Sequence, residues 1–453
     1  MRPGGHVLVI GLAATGRAVV RRLAREGYDL VVVEEHPGAP DYARARQEAE
    51  ILGVRVVDAP PAEMLAELAV TARLVVPSPG VHDTHVALRA AIQAGVEIRS
   101  EVDLAGERAR VPIVGVTGTN GKTTVTTLIA AMLQESGVAA AAAGNIGRPL
   151  LDAVDDDVAV LVAELSSFQL RFAPTLAPRV SVLLNLADDH LDWHGSRGAY
   201  EDAKANIFRH QRSTDLLVLN ADDDRVASIA ANARARRIGF SLTSTPGAFR
   251  VDAGVLVASD GRALIRLEEL PARAPHDVAN ALAAAAAALD LGGTVDGVAA
   301  ALRSFARLHH RVELVGQASG VRYYDDSKAT NPHATLTAVS GFDSVVLIAG
   351  GRNKGLDLGV LRVLAPRLRA VVAMGEATAE VEAAFGGRTH VVRASSMREA
   401  VRRAAEVARA GDAVLLSPAC ASFDWYTSYA ERGDDFSREV AALLGDNAGE
   451  RVG

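Results

Sequence analysis

The sequence predicts an α/β protein of three domains, and three observations lead there. Short runs of Val, Ile and Leu alternate with helical patterns along most of the chain, which is how packed α/β layers read. Those runs are nearly continuous rather than alternating with polar residues, as expected of strands buried on both faces of a parallel sheet. The chain has 453 residues, against a usual domain length of about 150.

The elements follow in order. Val7–Ile10, Leu30–Val33 and Leu74–Val76 read as strands of a first unit. A charged stretch, Glu107-Arg108-Ala109-Arg110, precedes the next strand, Ile113–Val116. Val158–Val162, Val180–Leu184 and Leu216–Leu219 continue a second unit. Phe249–Leu270 alternates around Gly254 and Asp260-Gly261, the pattern of an antiparallel hairpin set appended to that unit. A helix ends near Ser304, and a basic, His-rich turn to Arg311 leads into a third unit with strands at Val345–Ile348, Val371–Ala373 and Ala413–Leu416. The expected domains are 1–108, 109–308 and 309–453.

Composition narrows the class. Hydrophobic residues make up 49% and charged residues 23%, which excludes collagen-like, low-complexity and wholly disordered chains. The net charge of -7 gives no basic footprint, so no nucleic-acid partner is expected. A lone cysteine, Cys420, cannot form an intrachain disulfide and favours a reducing compartment. It reads as a small buried thiol, because no base partner is visible nearby. Met1–Gly5 runs straight into a strand pattern without a signal-peptide core. The longest apolar stretch, Ala281–Leu289, is too short to span a bilayer. A cytoplasmic protein without a membrane span is expected.

The strongest motif is Gly115-Val116-Thr117-Gly118-Thr119-Asn120-Gly121-Lys122-Thr123-Thr124. It follows a strand and opens a helix over Val125–Leu133. Glycines let the backbone wrap a phosphate, and loop amides with a helix N-terminus favour an anion. Lys122 would reach the outer phosphates and Thr123 a magnesium ion. Val116 stands where the strict Walker spacing needs glycine, so the loop is a variant. A turn that merely caps a helix is the alternative; the strand–loop–helix context favours nucleotide binding.

A second loop, Gly11-Leu12-Ala13-Ala14-Thr15-Gly16, is similar to a dinucleotide fingerprint. Ala13, however, replaces the glycine that lets a pyrophosphate approach. Glu34 and Glu35 end the next strand, near where such folds place a ribose acid. Pro77-Ser78-Pro79-Gly80 ends another strand and could line the same crevice. A nucleotide-diphosphate site and a plain tight turn stay open, with an NAD-dependent oxidoreductase a weaker third reading.

Two acidic segments follow the phosphate loop. Glu164 ends a strand, where a carboxylate can hold magnesium beside ATP. His190 lies beyond the end of Val180–Leu184. A histidine alone reads as a surface residue, but this position in the nucleotide-binding unit favours function. Lys204, on an expected helix Tyr200–His210, reads by itself as a solvated lysine.

Taken together, Gly118–Thr124, Glu164-Leu165-Ser166-Ser167-Phe168-Gln169 and Asn185…Asp189-His190-Leu191-Asp192 resemble the Mur ligase family. So do His309-His310-Arg311-Val312-Glu313, Asp325-Asp326-Ser327-Lys328-Ala329-Thr330-Asn331, Gly350-Gly351-Arg352-Asn353-Lys354-Gly355 and Leu416–Asp424. The resemblance spans nearly the whole chain. It implies a Rossmann-like N-terminal domain, a central P-loop ATPase domain and a Rossmann-like C-terminal domain. It implies ATP-dependent addition of D-glutamate to UDP-N-acetylmuramoyl-L-alanine through an acyl phosphate, in peptidoglycan synthesis.

The resemblance also implies roles. Gly118, Thr119, Asn120, Gly121, Lys122, Thr123, Thr124, Asn280 and Arg311 would contact ATP. Asp326 would hold the ribose or orient domain closure. Thr123 and Glu164 would bind one magnesium; His190 and a carbamate on Lys204 would bind another. Thr15, Gly16, Glu34, Ser78, Pro79, Gly80 and Asn145 would meet the UDP-substrate. Lys328, Thr330, Lys354, Ser422 and Tyr429 would surround the amino acid, two lysines suiting a dicarboxylate. Glu34-Glu35-His36 stands where many relatives read Asp-Thr-Arg. A monomer is expected. A folylpolyglutamate synthase or a P-loop switch would share the ATPase features, but not the Asp326–Asn331 and Ser417–Ser422 motifs.

Overall fold

The computed structural model describes residues 4–39, 41–243, 245–306 and 308–449. Among the described residues, three sheets carry the chain. The first is formed by β1 (Val7–Ile10), β2 (Leu30–Glu34), β3 (Arg55–Asp58), β4 (Leu74–Pro77) and β5 (Glu97–Ile98). It is parallel, in the order 3-2-1-4-5. All four residues of β1 are buried, as a central parallel strand requires. The unexpected β3 is an edge strand whose end residues Arg55 and Asp58 are exposed, so its apolar signal is short.

The second sheet comprises β6 (Ile113–Thr117), β7 (Ala140–Gly144), β8 (Val160–Glu164), β9 (Val180–Leu183), β10 (Leu216–Asn220), β11 (Arg236–Ser241), β12 (Phe249–Asp252), β13 (Val255–Val257) and β14 (Ala263–Arg266). Its order is 14-13-12-11-10-9-6-8-7. β12 pairs parallel with β11, and β12, β13 and β14 pair antiparallel. The hairpin set is therefore the continuing edge of this sheet. β7 is spelled Ala-Ala-Ala-Ala-Gly, yet pairs with β8 along its full length. Helix propensity yields here to tertiary pairing.

The third sheet comprises β15 (Glu313–Ala318), β16 (Val321–Asp325), β17 (Val345–Gly350), β18 (Leu368–Met374), β19 (His390–Ala394) and β20 (Ala413–Leu416), in the order 15-16-20-17-18-19. Only the β15–β16 pair is antiparallel among the described residues.

Contacts divide the chain into two compact units. One holds the chain to residue 186 with 193–273 and 277–305; the other holds 187–192, 274–276 and the chain from 306. The first two sheets lie in the first unit and the third sheet in the second. The helix Pro275–Asp290 buries a nearly all-alanine run from Ala281 to Ala288. No described helix is long and apolar enough to cross a membrane.

Candidate active site

In each sheet the singled-out residues gather at the carboxyl ends of adjacent parallel strands, where open α/β sheets hold ligands. In the central sheet, Asn185, the phosphate loop, Glu164 and Asn145 lie at or just beyond the ends of β9, β6, β8 and β7. In the third, Asp326, Ser417 and Gly351 lie just beyond the ends of β16, β20 and β17.

The phosphate loop is tightly cast. Gly118 has φ +155° and Gly121 φ +85°. A Cβ on Gly121 would fall 2.6 Å from Asn280 Oδ1, so Asn280 lies against the loop. Asn185 braces it from the other side: its Oδ1 accepts from Asn120 N at 2.8 Å and its Nδ2 donates to Asn120 O at 3.1 Å. Thr119 Oγ1 lies 2.9 Å from Tyr200 Oη. Lys122 Nζ donates to Gly118 O at 3.0 Å and Thr119 O at 2.9 Å. The helix then runs Lys122–Glu135, and its first-turn amides, Thr123 and Thr124 included, lack intrahelical acceptors. That is an anion site by construction.

Glu164 is 2% exposed. Its Oε1 accepts from Asn145 Nδ2 at 2.9 Å. Its Oε2 is buried with no hydrogen-bond partner among the described residues. A buried carboxylate oxygen without a donor is costly, and a hard cation is the partner that suits it.

Lys204 departs from its expectation as a solvated lysine. It is 1% exposed, on the helix Arg197–Arg209. Its Nζ donates to Gly118 O at 2.8 Å and lies 4.7 Å from the Tyr200 ring centroid. Gly118 O thus accepts from two lysines, Lys122 and Lys204.

At the first sheet, a Cβ on Gly16 would meet Gly11 O at 2.0 Å, so the loop closes only with glycine there. Glu34 accepts from Leu12 N at 2.8 Å and His36 N at 2.9 Å, which makes it a brace of that loop. Thr15, Ser78 and Pro79 line a small cavity with Glu101 and Gln169, and Gly80 is exposed beside it.

In the second unit the strand-end loops are stitched together. Asp326 N donates to Leu416 O at 2.8 Å, Gly350 N to Pro418 O at 2.8 Å, and Ala419 N to Ala329 O at 3.0 Å. Burial pushes the Asp326 carboxyl up to about 7, against the Ser417 hydroxyl and the Arg311 charge. Lys328 Nζ sits 3.6 Å from the Tyr429 ring centroid, a cation–π contact. Thr330 N donates to Lys328 O at 2.9 Å, and Ser422 is buried with its carbonyl accepting from Tyr426 N at 2.9 Å. Lys354 pairs with Asp189. His190 has φ +52° and groups by contacts with this second unit. The hydrogen bond to Asp325 raises the pKa of His310 despite its partial burial. Burial pushes the Cys420 thiol up to about 12, which fits an inert thiol.

Sequence reasoning missed the bracing roles of Asn185, Tyr200, Asp189 and Arg432. Arg432 is 1% exposed. It donates to Ser327 Oγ at 2.9 Å, Ser327 O at 2.8 Å and Cys420 O at 3.1 Å. One guanidinium so ties the loops after β16 and β20. A signal existed beside it: Gly433 interrupts a helical pattern, at a cost of about 1 kcal/mol. A Cβ there would fall 2.2 Å from His310 Nδ1.

Comparison with known proteins agrees from end to end. The MurD-like N-terminal domain of Mur ligases matches residues 5–100, the Mur ligase middle domain 116–288, and the Mur ligase glutamate ligase domain 310–420. The UDP-N-acetylmuramoylalanine–D-glutamate ligase of Desulfosudis oleivorans is 42% identical, over 98% of this chain and 97% of that protein. The enzyme of that name from Pseudomonas aeruginosa is 38% identical, over 96% of this chain and 98% of its own. Two solved structures share the fold. A pseudomurein peptide ligase type C from Methanothermus fervidus has a TM-score of 0.60 at 19% identity, covering 97% of this chain and 100% of that one. MurF ligase from Thermotoga maritima, in complex with ADP, has a TM-score of 0.58 at 18% identity, covering 97% and 96%. The chain belongs to the Mur ligase family, among the UDP-N-acetylmuramoylalanine–D-glutamate ligases.

Proposed function

We propose that the protein joins D-glutamate to UDP-N-acetylmuramoyl-L-alanine at the expense of ATP, releasing ADP and phosphate. The step belongs to peptidoglycan synthesis in the cytoplasm. The end-to-end identity with D-glutamate ligases carries this reading. The phosphate loop, with the orphan Glu164 oxygen nearby on the adjacent strand end, supports phosphoryl transfer.

A carboxylate resists nucleophiles, so the reaction first activates it. A carboxylate oxygen of the muramoyl-alanine attacks the γ-phosphorus of ATP, and the bond to ADP breaks. The glutamate amine then attacks the acyl carbon, loses a proton, and phosphate leaves. The chain's task is positioning and charge neutralisation. Lys122 and the amides of Gly118–Thr124 neutralise the phosphates; Asn280 and Arg311 contact ATP, and Asp326 its ribose. Thr123 and Glu164 would hold one magnesium. His190 and Lys204 would hold the second, Lys204 as a carbamate. Magnesium supplies phosphate charge neutralisation when bound.

The carbamate has a physical motive. Two ammonium groups, of Lys122 and Lys204, converge on Gly118 O. Like charges so close oppose each other. Once the Lys204 ammonium gives up a proton, its free amine adds carbon dioxide and releases a second proton to solvent, which turns that repulsion into attraction and creates an anionic oxygen ligand.

Thr15, Gly16, Ser78, Pro79, Gly80 and Asn145 take the UDP-substrate, with Glu34 shaping the loop. Lys328, Thr330, Lys354, Ser422 and Tyr429 take glutamate. We assign these functions to domains 1–108, 109–308 and 309–453 of a monomer. The test is phosphate release from ATP and magnesium with the UDP-substrate and either glutamate enantiomer. Turnover that needs both the UDP-substrate and D-glutamate is expected. Dependence on L-glutamate would overturn the stereochemistry, and turnover indifferent to both would overturn the reaction.

A further inference from the structure

We propose that Asp189 is an internal stand-in for the substrate amino acid: it holds Lys354 until a zwitterion inserts, carboxylate to Lys354 and ammonium to Asp189. The proposal rests on the reading above that Lys354 binds a glutamate carboxylate.

Asp189 and Lys354 form an ion pair with side chains only 7% and 12% exposed. The carboxylate is held by more than the lysine. Asn331 Nδ2 donates to Asp189 Oδ2 at 3.0 Å, and His190 N donates to Oδ1 at 2.9 Å. A cation, a side-chain amide and a backbone N–H converging on one carboxylate make the donor set of a carboxylate-binding site. Lys354 lies beyond β17 and Asn331 beyond β16, in the loops that carry the amino-acid residues of the reading above. All of these residues lie in the second unit.

Two buried charges depend on each other, and removing one partner strands the other. An arriving carboxylate can replace Asp189 on Lys354 without leaving the lysine unpaired. Asp189 would keep the Asn331 amide, the His190 N–H and the His190 imidazole at 3.7 Å, but would lose its lysine, unless the newcomer also brings a positive charge. An α-amino acid does, and a plain dicarboxylate does not. The pair thereby selects amino acids over acids of the same length.

The experiment compares D-glutamate with glutarate, which has both carboxylates and no amine. Phosphate release is followed at saturating ATP, magnesium and UDP-substrate, with glutarate as a competitive inhibitor. In the wild type, glutarate should bind at least tenfold more weakly than D-glutamate; equal strength overturns the proposal. Asp189→Asn should shift the ratio of D-glutamate KM to glutarate Ki at least tenfold in favour of glutarate. A purely structural Asp189 would weaken both ligands alike and leave the ratio unchanged. Asp189→Ser repeats the test with a smaller side chain, and protection of each variant by ATP against thermal unfolding reports folding. Lys354→Met separates the two failures. If it leaves the D-glutamate KM unchanged, the assignment of Lys354 falls; if it raises that KM while Asp189→Asn leaves the ratio alone, only the stand-in falls.

Discussion

Replacing Gly121 by alanine probes the phosphate loop in two separable ways. Gly121 sits at φ +85°, where a side chain costs about 1–2 kcal/mol. The added Cβ would also lie 2.6 Å from Asn280 Oδ1 and 3.2 Å from Leu184 Cδ1. Leu184 can give by tenths of an ångström, but the Asn280 amide must swing away. Gly254, in the turn between β12 and β13, is the control: its φ is +78° and no heavy atom lies within 4 Å of an added Cβ. Both Gly121→Ala and Gly254→Ala should therefore lose about 1–2 kcal/mol of stability from backbone strain alone. Only Gly121→Ala should also raise the ATP KM, by about tenfold, which corresponds to about 1.4 kcal/mol. Calorimetry reads the first effect, and phosphate release over an ATP range, with other substrates saturating, reads the second. An unchanged ATP KM in Gly121→Ala would refute the shared nucleotide site of Gly121 and Asn280. An equal rise in Gly254→Ala would show that the loss comes from general destabilisation.

Four further outcomes are expected. Lys204→Ala should be nearly inactive and partly rescued by short carboxylic acids; full activity would remove the carbamate. Arg432→Met should raise the D-glutamate KM with little change for ATP, because it releases two loops of the second unit; equal changes would point to general misfolding. Cys420 should resist alkylation in the native protein and react once unfolded, as a buried thiol pushed to about 12 requires. Burial also pushes the Glu101 carboxyl from 4.5 to about 7, opposed by the Leu151 amide and aided by Asp152. The folded state therefore keeps a proton that the unfolded chain has lost. That contribution is full below about pH 4.5 and declines as pH rises to about 7, by up to about 3 kcal/mol. Glu101→Gln should flatten this slope in urea titrations at about pH 5 and about pH 8; an unaltered slope would refute it.

Legibility from sequence followed burial. Fully apolar strands such as Val7–Ile10, Val345–Gly350 and Ala413–Leu416 were readable because central parallel strands must be apolar on both faces. The strands Arg55–Asp58 and His390–Ala394 lie at sheet edges with exposed residues, and so carry weak signals. Ala140–Gly144 was hidden by composition, since alanines favour helices and only pairing with Val160–Glu164 makes them a strand. The motif loops were legible because phosphate chemistry restricts residue types. The braces were not. Asn185 and Arg432 act by hydrogen-bonding backbone far away in sequence, at Asn120 and Ser327, and no local spacing encodes such partners. Lys204 shows the same limit: its helix was readable, but its burial beside Gly118 comes from tertiary packing.

The alanine run of the helix Pro275–Asp290 bears on thermal behaviour and on mutability. An alanine side chain has no rotamers to lose, so ordering the stretch from Ala283 to Ala288 costs backbone entropy only. Each of these residues is at most 2% exposed, so nothing larger fits without displacing neighbours, at a cost of about 1–3 kcal/mol. The segment that leads directly out of Asn280 is thus cheap to order and hard to alter. Random mutagenesis should recover few substitutions in it, little beyond glycine or serine.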